Sequence, residues 1–108
     1  MAGPFRHPLR VRWNECDAQG IVFNANYHLY FDIALTELWR EAAGSYAALM
    51  ERGVDFVLVD THVRFRGVAR FDDELDILMT AREPGRSSLV FDARIERAGE
   101  LLTEGELT

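Results

Sequence analysis

Residues 17–44, DAQGIVFNANYHLYFDIALTELWREAAG, decide how the rest of this chain must fold. Tyr27, Phe31, Leu35 and Leu38 recur at helical spacing, and Tyr30, Ala34 and Trp39 widen that side into a broad apolar stripe. His28, Asp32, Thr36, Glu37, Arg40 and Glu41 are the polar members. Gly44 stands where a left-handed C-terminal cap is wanted. The spacing predicts a helix of roughly five turns ending near Ala43. Asn24 or Asn26 can cap it, Asn24 if the helix begins at Ala25. Just upstream, Ala18-Gln19-Gly20 reads as a turn with Gly20 at positive φ, and Ile21 to Phe23 as a short extended step. A helix this apolar needs a sheet to cover it.

The remaining residues supply that sheet. In residues 8–14, Leu9, Val11 and Trp13 alternate with Arg10, Arg12 and Asn14, which predicts a half-buried strand after a frayed terminus holding His7. Ser45 offers a new N-cap for a short helix from Tyr46 to Arg52, closed by Gly53. From Val54 the period becomes two. Val57, Val59, Thr61, Val63 and Phe65 share a face, as do Leu75, Ile77, Met79 and Ala81, and then Leu89, Phe91, Ala93 and Ile95. Pro84-Gly85 and Ala98-Gly99 punctuate the run, and Leu101 to Thr108 begin another strand. Strands joined by short polar turns make an antiparallel sheet with one buried face. The class is α+β: one sheet curled around one central helix, in a single domain over residues 1–108. The last strand stops at Thr108 without a turn or polar tail, so a C-terminal continuation is expected.

Composition excludes several functions. The net charge of −6 is opposite to a nucleic-acid footprint. All twelve basic residues counted as Lys or Arg are arginine, which removes Schiff-base lysine chemistry and the Gly-Lys-Ser/Thr phosphate loop. Cys16 is the sole cysteine, so neither a disulfide framework nor a thiolate metal cage is available. No apolar run reaches membrane-span length, and MAGPFRHPLR lacks a signal-peptide core. A cytoplasmic location is the expectation.

Asp17 is the first chemical candidate. It lies between a strand and a helix start, where a carboxylate can act as base or nucleophile beside carbonyl-polarising amides. An Asp there equally serves as a turn former. Glu15, two positions earlier, invites an acid–base pair with it, but loop carboxylates are ordinarily solvated. His28 and Asp32 are one helical turn apart and predict a surface contact, while His62 reads as a cross-strand partner beside Asp60 and Arg64. Ser45, Ser87 and Ser88 lack a nucleophile elbow. The Asp17 charge raises rather than lowers the Cys16 thiol pKa, so Cys16 is read as packing. Arg64, Arg66, Arg70, Arg82 and Arg86 stand at strand ends and turns, where they salt-bridge or anchor phosphate. Arg86-Ser87-Ser88 is the best phosphate segment.

The run VRWNECDAQGIVFNANYHLYFDIALTELWR, starting at Val11, resembles the signature of the 4-hydroxybenzoyl-CoA thioesterase-like family of hotdog-fold acyl-CoA thioesterases. Asp17, Gly20, Ile21, Val22, Phe23, Asn26 and Tyr27 carry the match, and the strand order downstream fits a hotdog. The resemblance implies hydrolysis of an acyl-CoA thioester to free acid and CoA. It implies Asp17 as catalytic carboxylate, attacking the thioester or activating water, with the helix start at Asn24, Ala25 and Asn26 polarising the carbonyl. Gly20, Ile21, Val22, Phe23 and Tyr27 would line the substrate, and Arg86 and Ser87, then Arg64 or Arg66, would meet CoA phosphates. No metal or organic cofactor is implied. Dimers or tetramers with the site between subunits are. Relatives often carry His or Tyr at the position of Asn24, a departure that bears on acyl selectivity. Two other readings share the fold: an acyl-carrier-protein thioesterase or dehydratase, although no histidine neighbours Asp17 in sequence, and a non-catalytic acyl-CoA binder.

Overall fold

The computed structural model describes residues 4–51, 53, 58–82 and 88–108. Their order is β1 (Phe5–Arg10), a 3₁₀ turn (Trp13–Glu15), α1 (Asn26–Ala43), α2 (Tyr46–Glu51), β2 (Thr61–Phe65), β3 (Glu74–Ala81), β4 (Phe91–Arg97) and β5 (Glu100–Leu107). The strands form one antiparallel sheet in the order β1-β3-β4-β5-β2. This is the hotdog architecture, with α1 laid against the sheet.

α1 buries Tyr27, Tyr30, Phe31, Ala34 and Leu38, the stripe its periodicity predicts. Against it stand Leu75, Ile77 and Met79 of β3 with Ala93 and Ile95 of β4, all but sealed from solvent. Burying each of the larger side chains contributes about 1.5–3 kcal/mol, so this seam is the main source of stability. The cap differs from expectation. Ala25 occupies the N-cap with no side-chain bond, and Asn24 does not cap the helix. Asn26 instead turns inward, its Nδ2 donating to the Glu15 carbonyl at 2.8 Å. Gly44 closes the helix at φ 89°, its amide bonded to the Arg40 carbonyl. Ser45 caps α2 through the Ala48 amide. Arg52, the expected end of that helix, lies outside the described residues.

β1 runs three residues earlier than the sequence pattern suggests. Phe5, His7 and Leu9 are half-buried and Val11 fully so, whereas Trp13 has left the strand and is 66 % exposed, its ring edge-on to Phe71. His7 is therefore paired, opposite Ile77, rather than frayed. β2 begins at Thr61, although Val59 and Asp60 still bond the Thr108 carbonyl. The expected strand start at Val54 to Val57 and the turn at Pro84-Gly85 lie outside the described residues.

The two sheet edges differ. The Asp60–Thr108 amide exchange and the Arg66–Leu102 bond turn the even-numbered amides of β2 toward β5. The amides and carbonyls of Thr61, Val63 and Phe65 therefore face the open side. On β1 the same alternation, counted from the Val11–Asp73 bond, turns the even positions outward, and Pro8 stands among them with no amide to offer. One edge is blunted and the other is a complete template.

Candidate active site

Between the 3₁₀ turn and α1 the chain folds back on itself. Phe23 N donates to Glu15 O, Cys16 bridges Val22, and Asp17 N donates to Ile21 O. Gly20, at φ 76°, closes the turn through its amide to the Asp17 carbonyl. A third segment, Ala69 to Phe71, pairs with the returning arm: Val22 N reaches Ala69 O, Ile21 bridges Arg70, and Phe71 N reaches Gly20 O. Alternation sends Val22 and Ala69 into the core, with Cys16 packed against it. Asp17, Ile21 and Arg70 point the other way, the first two half-buried and Arg70 exposed.

Glu15 is buried, not solvated as its loop position suggests. One carboxylate oxygen accepts the Arg12 amide at 2.8 Å and the Tyr30 hydroxyl at 2.8 Å. The other accepts the Arg12 Nε at 2.9 Å and Nη2 at 2.6 Å. Burial disfavours its charged form, but the bonds from Arg12 and Tyr30 outweigh that and hold the carboxyl below its ordinary pKa. Burial, reinforced by the adjacent carboxylate, pushes the Tyr30 phenol well up. The backbone carbonyl of Glu15 accepts both Phe23 N and Asn26 Nδ2, so this residue joins the 3₁₀ turn, the hairpin and α1. The signal available in the sequence was the Arg12-x-x-Glu15 spacing, which places an acid at the third position of a helical turn.

Asp17 has a lighter set of partners. One oxygen accepts the Gln19 amide at 2.8 Å, the bond of an Asx turn, and no partner reaches the other among the described residues. Of the amides at the helix start, those of Asn26 and Tyr27 are taken by the Phe23 and Asn24 carbonyls. Those of Asn24 and Ala25 have no acceptor among the described residues, and both residues are exposed. The hairpin thus carries a half-buried carboxylate at one end and two unspent amides just past the other.

The remaining predicted residues are distributed as follows. Phe23 is 57 % exposed beside the helix start. Val22 and Tyr27 belong to the core, the Tyr27 hydroxyl accepting the Ala69 amide at 3.1 Å. Arg64 stands exposed in β2, in register with Glu104, which Arg66 engages instead. Arg86 and Ser87 lie outside the described residues. His28 turns to the Thr61 hydroxyl at 3.5 Å rather than to Asp32, and His62 pairs along its own strand with Asp60 at 3.4 Å instead of across the sheet. Cys16 packs as expected, its thiol pushed up by burial first and then by Glu15 and Asp17. Among the described residues no cluster of His, Cys, Asp or Glu is arranged to hold a metal, and no helix is long and apolar enough to cross a membrane. An open groove of about 470 Å³, lined by Pro4 to His7, Glu37, Arg40 and Glu41, involves none of the hairpin residues.

A profile of the thioesterase superfamily matches residues 19–104. The chain belongs to that family. Over 104 residues it is 38 % identical to the acyl-CoA thioester hydrolase YbgC of Escherichia coli O6:H1, covering 95 % of this chain and 78 % of that one. Its fold superposes on a hypothetical protein from Aquifex aeolicus with a TM-score of 0.89 at 26 % identity, covering 96 % of this chain and 85 % of that one. It matches the 4-hydroxybenzoyl-CoA thioesterase of Pseudomonas sp. strain CBS-3 with a TM-score of 0.81 at 26 % identity, covering 98 % and 82 % respectively. The hotdog thioesterase family resemblance read from the 11–44 stretch is thereby borne out.

Proposed function

We propose that this protein hydrolyses an acyl-CoA thioester to a free carboxylic acid and CoA, with Asp17 as the reacting carboxylate. The observation that carries this is the 38 % identity to a named acyl-CoA thioester hydrolase across nearly the whole chain. The hairpin supports it by presenting, among the described residues, a carboxylate with one unclaimed oxygen and, past Phe23, amides without acceptors. As a general base, Asp17 takes a proton from water whose oxygen adds to the thioester carbon. As a nucleophile, its own oxygen adds and water then cleaves the anhydride. Either way the carbonyl oxygen becomes an oxyanion that the Asn24 and Ala25 amides stabilise, and collapse expels the CoA thiolate, which leaves as the thiol. Gly20, Ile21 and Phe23 border the acyl path, Val22 and Tyr27 back it from the core, and Arg64, Arg86 and Ser87 are assigned to the CoA phosphates. Asn24 contributes its side-chain amide to orienting water or the thioester oxygen.

The test is hydrolysis of short, medium and aromatic acyl-CoAs, read as released thiol. Asp17→Asn is expected to lose turnover by about 10²–10⁴-fold. A variant that hydrolyses the panel as the parent does removes Asp17 from the reaction, and a parent that binds acyl-CoA without releasing thiol favours a binding protein instead.

The open β2 edge supports a homodimer, or a tetramer built from dimers. Its outward amides are flanked by exposed Leu58, Val59, Phe65 and Val68, an apolar margin that a second copy would cover. Val63→Pro deletes an outward donor while leaving the bonds to β5. It is expected to give a monomer by sedimentation, and a dimer of unchanged strength would place the interface elsewhere.

A further inference from the structure

Arginine supplies all the positive charge of the described strands and turns, and nearly all of it is spent. Arg6, Arg10, Arg12, Arg40, Arg66, Arg82, Arg94 and Arg97 each hold a carboxylate. Arg64 and Arg70 alone among the described arginines do not. Arg64 sits in the sheet opposite Glu104. Arg70 sits in the hairpin's third segment, directly across from Ile21.

The ladder fixes where Arg70 points. Asp17, Ile21 and Arg70 are successive neighbours across three paired segments, on the face opposite the core residues Val22 and Ala69. Two strand spacings put the Arg70 backbone on the order of 10 Å from that of Asp17. The half-buried Ile21 lies between them as an apolar floor. The nearby carboxylates already hold other partners, although Asp73 also feels the Arg70 charge. Asp72 is held by Arg10, and Asp73 accepts Arg97 at 2.7 Å and the Arg70 backbone amide at 2.8 Å. An exposed guanidinium in an acidic chain, beside carboxylates that already hold other partners, keeps donors available to an arriving anion.

We propose that Arg70 is a substrate-recognition residue whose guanidinium binds a carboxylate or phosphate oxygen pair carried by the thioester, across Ile21 from Asp17. This rests on the thioesterase reading for the role of Asp17, while the anion site stands on the ladder geometry alone. Two groups on an acyl-CoA have the required chemistry. A carboxylate at the far end of the acyl chain would lay its methylenes over Ile21. The CoA phosphates would arrive if the pantetheine arm takes that path instead.

The experiment uses non-hydrolysable thioethers, so that binding is read whether or not the protein turns over. Calorimetric titration of the parent and Arg70→Gln with S-butyl-CoA, S-(ω-carboxypropyl)-CoA and the two corresponding phosphate-free pantetheine thioethers separates the sources. Loss of a charged hydrogen-bond pair is expected to weaken binding about tenfold or more, and only for ligands that carry the recognised anion. A loss confined to the two carboxypropyl ligands assigns the acyl carboxylate, and one confined to the two CoA ligands assigns phosphate. Arg70→Lys, which keeps the charge without the fork, is expected to recover part of the affinity. Equal losses on all four ligands, including neutral S-butyl-pantetheine, or no loss on any, overturn the proposal. If the anion dependence holds in a protein that releases no thiol from acyl-CoAs, the hydrolase reading falls and the recognition site remains.

Discussion

Glu15 and Asp17 are two residues apart on one loop, and the fold treats them in opposite ways. Glu15 is enclosed and saturated, with Arg12 and Tyr30 filling both of its oxygens. Asp17 is half-buried and, among the described residues, holds only the Gln19 amide. The difference comes from what lies opposite. Glu15 faces the first turns of α1, where Tyr30 descends from the core, whereas Asp17 faces the returning Ile21, with Arg70 in the segment beyond it. A carboxylate with every lone pair engaged has little left for chemistry, and one with an idle oxygen can accept a proton or attack. One carboxylate therefore holds the loop, and the other is the one left open to the proposed reaction.

The largest effects separate the two. Asp17→Asn, expected to remove most turnover, keeps an oxygen for the Gln19 amide, so its unfolding free energy should stay within about 0.5 kcal/mol of the parent. Glu15→Ala should do the reverse in the melt. It strands the Tyr30 hydroxyl in the core and frees Arg12, costing about 2–3 kcal/mol by urea denaturation. Its residual activity at a temperature where it is folded should exceed that of Asp17→Asn. If Glu15→Ala melts like the parent, the buried network is not what holds the loop.

A smaller effect is carried by pH. The Glu15 carboxyl titrates below its unfolded value, so its contribution is fully present above the unfolded pKa of about 4.3 and is lost as pH falls through the folded value. Asp73 and Asp92, also held low by burial-opposing arginine contacts, lose their contributions in the same direction. Glu15→Gln should therefore flatten the acid limb of the stability curve without abolishing it. An unchanged limb would mean that Glu15 is no more stabilised as an anion in the folded chain than in the unfolded one.

What could be read from the chain follows the same division. The α1 stripe and the alternating faces of β3 and β4 were legible because helix and strand periods are local, and Gly44 and Ala98-Gly99 mark their ends. The start of the chain misled because Pro8 looks like a strand boundary. In an edge strand it is an interior residue with its missing amide turned outward. Trp13 continued the alternation in sequence but left it in space, drawn to Phe71 in a distant segment. By pattern, the Arg12-x-x-Glu15 spacing is the one local mark that sets Glu15 apart from Asp17. The arrival of Tyr30 from one side and Ala69 to Phe71 from the other sorts them in space, and both contacts are tertiary. The sequence offers Arg70 only as one of five arginines at strand ends and turns, since its lack of an ion pair among the described residues is visible only once the partners of the other arginines are known.

The finest test of the division is Tyr30→Phe. The ring remains in the core and the Arg12 bonds to Glu15 remain, so only one donor to the carboxylate is lost. The expected cost is about 1 kcal/mol, or roughly 4–8 °C in the melting midpoint of a chain this size. Thiol release from acyl-CoA should stay within about twofold, because Asp17 keeps the Gln19 bond and the hairpin bonds on either side of it. A tenfold or greater loss of turnover with an unchanged melt would instead make the Tyr30–Glu15 bond part of the reacting apparatus. The two carboxylates would then have to be treated as one coupled unit rather than as a brace and a reagent.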